Sequence, residues 1–136
     1  MRAVAAALVL LATATAPALG KTIATETADG TRDASLELEH TFRPGKARSV
    51  SATANWSATE SDAGVIGDSP SPDVRGRLVL MCGTSWQSRT FTTGTRILIP
   101  PKSRTCKSRV TFSVEQAFRY PIQPVQTTLR VVLALP

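Results

Sequence analysis

Alternation of apolar and polar residues is the dominant period of the chain. Leu36, Leu38 and His40 alternate with Glu37 and Glu39, and Val50, Ala52, Ala54 and Trp56 alternate with Ser51, Thr53 and Asn55. Both runs predict half-buried strands. Arg43-Pro44-Gly45-Lys46 between them reads as a turn, because proline presets its own backbone angle and glycine accepts a positive one. Val74 to Cys82 is apolar on both parities and predicts a central strand covered on both faces. Further strands are expected at Ser88 to Thr93, Thr95 to Ile99, Lys107 to Ala117 and Gln126 to Leu135, broken by Thr93-Gly94 and Pro100-Pro101.

The pattern predicts an all-β fold. About seven short strands separated by turn signals give an antiparallel sandwich, immunoglobulin-like in style, with a small β-barrel as the alternative. Trp86 follows the first cysteine by only four residues, which is not the immunoglobulin spacing. Two stretches fall outside the pattern. Residues 21–33 read as a polar, Thr-rich flexible lead with little to anchor it, and 58–73 reads as a long exposed loop of Ser, Asp, Gly and Pro. Residues 34–136 are expected to form a single domain.

The first 20 residues follow a different rule. Arg2 is followed by an uninterrupted apolar run from Ala3 to Ala12 and then by small residues ending in Ala18-Leu19-Gly20, the order of a secretory signal peptide cleaved before Lys21. The apolar core is about half the length needed to cross a bilayer, and no transmembrane segment is expected. The mature protein is thus expected outside the cytoplasm, secreted or periplasmic. In such a compartment the two cysteines, Cys82 and Cys106, are expected to form a disulfide. Their phase agrees, since Leu78 and Leu80 share the parity of Cys82, and Val110, Phe112 and Val114 that of Cys106.

Charge adds a second asymmetry. The chain carries 16 Lys and Arg against 10 Asp and Glu, for a net charge of +6. The acids concentrate before Val74; from Arg75 onward the only acid is Glu115. Such a basic half favours an anionic partner. The competing expectation is that strands from the two halves pair and neutralise each other across one sheet.

Candidate chemistry is sparse. The sole histidine, His40, ends an apparent strand and makes a poor general base; no spacing selects a carboxylate pair; no phosphate loop is present. No metal site or cofactor is expected, because two cysteines and one distant histidine do not supply four ligands. Asn55-Trp56-Ser57 matches a glycosylation sequon but falls in an expected strand. Lys102, Arg104, Lys107 and Arg109 crowd the second cysteine as candidate anion-binding residues, and Trp86 is the candidate exposed aromatic. Nucleic acid is not expected, since interleaved aromatics are missing and the compartment is wrong. These features favour a non-enzymatic binding module whose basic face meets an anionic polymer, a membrane surface or another protein. The alternatives are a small carboxylate hydrolase, and an inhibitor or effector presenting the 58–73 loop or the Ile99 to Arg104 loop.

Overall fold

A computed structural model describes residues 20–60, 72–115 and 125–136. All but the last residue of the expected signal peptide and most of the 58–73 loop lie outside these residues. The described residues form eight strands: β1 (Lys21–Thr31), β2 (Ala34–Phe42), β3 (Ser49–Glu60), β4 (Asp73–Cys82), β5 (Ser85–Phe91), β6 (Gly94–Leu98), β7 (Cys106–Glu115) and β8 (Val125–Leu135). They form two four-stranded antiparallel sheets, β1-β8-β3-β6 and β2-β7-β4-β5. The all-β sandwich is thus as the alternation predicts. No helix among the described residues is long and apolar enough to cross a membrane.

The pairing has a simple logic. The first strand pairs with the last, the second with the seventh, the third with the sixth and the fourth with the fifth. A long antiparallel ribbon folded over itself gives this order, and β3-β8 and β4-β7 pairing closes each sheet. It is the strand order of a jelly roll. At one flank of the sandwich β1 lies against β2, and at the other β5 lies against β6.

The eighth strand is the one the alternation does not predict. Lys21–Thr31, expected to be a flexible lead, pairs along its length with β8. Only Ile23, Ala24 and Ala28 of β1 pack against the core, and a register shift between Thr22 and Ala24 breaks their alternation. An edge strand fixed by ladder hydrogen bonds to an apolar neighbour needs few apolar side chains of its own, so its hydrophobic signal is weak.

The core fills from inward positions of both sheets. Leu78, Leu80, Val110, Val114, Leu129, Val131 and Leu133 are fully enclosed. Each such side chain contributes about 1.5–3 kcal/mol by leaving water. Phe112 stacks on Phe91 with ring centroids 6.0 Å apart, and Phe91 stands opposite Gly76 in the register. A Cβ on Gly76 would lie 2.7 Å from the Phe91 ring and 3.0 Å from that of Phe112, so only glycine leaves the ring its place. Trp56 packs partly buried against the same core.

β4 departs from expectation in one respect. It is interior to its sheet, between β7 and β5, and its Leu78, Leu80 and Cys82 face the core. Among the described residues no second layer covers its other face: Val79 and Met81 are half-buried among neighbouring side chains on an outer surface.

Candidate functional site

Cys82 and Cys106 form the expected disulfide. They are directly opposed in the β4-β7 register, so the bridge links neighbouring strands of one sheet. The inter-sheet bridge of an immunoglobulin domain is a different device. The loop closed by this bridge contains all of β5, β6 and the β6–β7 connection.

The four candidate cations divide into two pairs. Lys107 and Arg109 point outward from β7, beside the edge strand β2, whose Glu37 and Glu39 meet them. Lys107 Nζ lies 3.5 Å from Glu39 Oε2, Arg109 Nε 3.2 Å from Glu37 Oε2 and Arg109 Nη2 3.4 Å from Glu39 Oε2. The cross-sheet neutralisation expected from the charge asymmetry therefore operates here. At this half-exposed surface each pair is worth about 0–1 kcal/mol.

Lys102 and Arg104 lie instead in the β6–β7 loop, at the end of the sandwich. That loop meets the β2–β3 loop, joined to it by the Ile99 N–H, which donates to the Arg48 carbonyl at 2.8 Å. Together they wall a groove of about 750 Å³ with a largely apolar lining that includes Pro44, Ala47, Leu98 and Pro101, and with Arg48 and Lys102 as its two lining cations. Arg43, Lys46, Arg48, Lys102 and Arg104 are all exposed. Neither loop contains an acid, and among the described residues none of the five cations makes an ion pair.

Local backbone explains how the loops hold their shape. The β2–β3 connection closes with the Ala47 N–H donating to the Pro44 carbonyl at 2.9 Å, and Gly45 takes the left-handed conformation at φ +59°. In the β6–β7 loop Ser103 Oγ donates to the Pro100 carbonyl at 2.7 Å. Lys102 has φ +65°, a region that side chains other than glycine's enter at a cost of about 1–2 kcal/mol.

The charge asymmetry of the sequence becomes an asymmetry in space. Strands β1 and β2 carry Glu26, Asp29, Glu37 and Glu39 at one flank, whereas β5 and β6 at the other carry Arg89 and Arg96 and no acid. Next to β5, Arg77 donates to the Ser88 hydroxyl at 3.3 Å. Arg75 is held by Asp73 at 3.0 Å; that hydrogen bond, then the charge, push the guanidinium further above its ordinary pKa, so it stays a cation.

Trp86 is exposed, as expected. It retains 58% of its surface and Leu98 70%, and these are the two exposed large hydrophobic residues among those described. Trp86 stands opposite Met81 and lines a shallow depression with Arg77, Val79, Arg109 and Thr111. The two exposed residues belong to adjoining strands, and Gln87 Nε2 donates to the Leu98 carbonyl at 3.1 Å.

His40 lies on the edge strand β2, half-buried, its ring stacked on Phe42 at 6.5 Å. Its register partner Ser108 is fully buried, and no hydrogen bond joins them. Sequence reasoning misses Arg43, Lys46 and Arg48. The available signal is that both connections are basic, acid-free and rich in proline or glycine. No protein-family model matches the sequence, and no curated protein matches it.

Proposed function

We propose that the protein is a non-enzymatic binding module, working outside the cytoplasm, that engages an anionic partner through the end of the sandwich where the β2–β3 and β6–β7 loops meet. The observation that carries this reading is the set of five exposed cations without ion-pair partners among the described residues, Arg43, Lys46, Arg48, Lys102 and Arg104, carried by the two loops that wall one groove, with Arg48 and Lys102 in its lining. Clustered cations without local acids raise the local concentration of an anionic ligand and bind it in a salt-sensitive way. The disulfide is compatible with an oxidising compartment. Keeping Lys102 in a left-handed conformation, where glycine would be less strained, also favours a use for its side chain.

The test is retention of the oxidised protein on immobilised dextran sulfate and on phosphatidylglycerol vesicles, at low and at physiological salt. Binding that survives physiological salt and is lost in R48Q/K102Q supports the reading. Absence of binding to both probes overturns it.

A further inference from the structure

Resting on that reading, we infer that the anionic partner is a lipid bilayer surface, and that the protein docks on it with the flank formed by β5 and β6, Trp86 and Leu98 entering the headgroup region while the surrounding cations meet the lipid phosphates.

The cations alone do not choose between a polymer and a membrane. The exposed hydrophobic residues do. Trp86 and Leu98, the two large apolar side chains left open to water among the described residues, lie near the cationic end of the molecule, on the adjoining strands β5 and β6. The two strands are joined at this point by Gln87, next to Trp86, which donates to the Leu98 carbonyl. Leu98 is itself part of the groove that holds Arg48 and Lys102, and Trp86 borders the depression that holds Arg77. Tryptophan favours the membrane interface because its ring is amphipathic. A soluble polyanion would use the guanidinium and ammonium groups but would gain nothing from an exposed Leu98.

Charge placement orients the molecule. Arg89 and Arg96 continue the cationic surface along β5 and β6, and these two strands contain no acid. Glu26, Asp29, Glu37 and Glu39 occupy the opposite flank, which anionic lipid would repel. A protein partner is less well matched: a stable interface needs about 800 Å² from each side with a contiguous apolar centre. Here the two exposed hydrophobics face outward from different sheets, one on either side of the β5-β6 edge. A yielding surface can receive both.

The experiment uses vesicles of phosphatidylcholine with and without phosphatidylglycerol, and dextran sulfate in solution as the polymer probe. In W56F, Trp86 is the sole tryptophan, and retained binding and thermal unfolding show that this background is intact. The expected result is phosphatidylglycerol-dependent binding, a blue shift of Trp86 emission and its quenching by brominated acyl chains. W86S and L98S, made in the otherwise native chain, each weaken vesicle binding by about fivefold, as partial loss of one inserted side chain predicts, and W86S, which lies outside the groove, leaves dextran sulfate binding unchanged. Vesicle binding with no change in Trp86 emission and no loss in W86S or L98S would overturn the docking geometry and leave anion binding standing. Binding to dextran sulfate but not to vesicles would overturn the membrane inference alone, and binding to neither would overturn both readings.

Discussion

Cys82 and Cys106 face each other across β4 and β7 with Cα atoms 4.3 Å apart, and the chain between them holds β5, β6 and the Lys102 loop. The bridge therefore ties the basic flank covalently to two central strands of the β2-β7-β4-β5 sheet. Oxidation and the proposed site are linked by topology.

Replacing both cysteines (C82A/C106A) releases a loop with a sequence separation of 24. The chain-entropy estimate for such a loop is about 3 kcal/mol. Equilibrium denaturation of the variant, compared with the oxidised parent, is expected to show a loss of that order. Hydrogen exchange should loosen first in β5 and β6, because their covalent closure is what has gone.

Gly76 is expected to tolerate no side chain. A Cβ there meets the Phe91 ring at 2.7 Å, and that ring is already stacked on Phe112. G76A should cost about 1–3 kcal/mol by overpacking. Shortening the obstacle in G76A/F91L should recover part of the loss; chemical denaturation of the parent and the two variants gives the comparison.

Ser108 Oγ is fully buried and has no hydrogen-bond partner among the described residues. An unsatisfied buried hydroxyl forfeits about 1–3 kcal/mol of desolvation. S108A is therefore expected to be as stable as the parent or more stable, by up to about 1 kcal/mol after the small cavity is discounted. Thermal unfolding measures it.

Lys102 separates stability from binding. At φ +65° glycine is the less strained residue, so K102G is expected to stabilise the fold by about 1 kcal/mol. The same change removes a cation from the groove and should weaken binding to phosphatidylglycerol vesicles by about fivefold. Unfolding and vesicle titration of this variant are expected to move in opposite directions.

The strands most legible in the sequence are those with one face on the core. β2, β3, β7 and β8 alternate because their inward residues, such as Leu36, Val50, Val110 and Val131, are buried while most of the intervening positions meet water. The disulfide is legible for the same reason, since both cysteines share the inward phase. β1 is not, because Thr-rich edge strands are held by backbone pairing, here to β8, and leave little hydrophobic trace.

The candidate site is legible only in part. Lys102, Arg104, Lys107 and Arg109 are close in sequence, but the strand that begins at Cys106 turns the last two onto a sheet face, where Glu37 and Glu39 neutralise them. Arg43, Lys46 and Arg48 join the first two only through the jelly-roll order, which brings the β2–β3 loop beside the β6–β7 loop. Local pattern carries no information about that meeting.

If the arrangement of the loop cations, and not the net charge, creates the binding site, two variants of equal charge must differ. The most direct measurement is their affinity for phosphatidylglycerol vesicles and dextran sulfate at physiological salt. R48Q/K102Q removes two cations from the groove, and R75Q/R130Q removes two exposed cations elsewhere, leaving the same net charge. The first variant is predicted to lose about tenfold or more in affinity and the second to stay within about twofold of the parent. Equal losses in the two variants would contradict the proposed site.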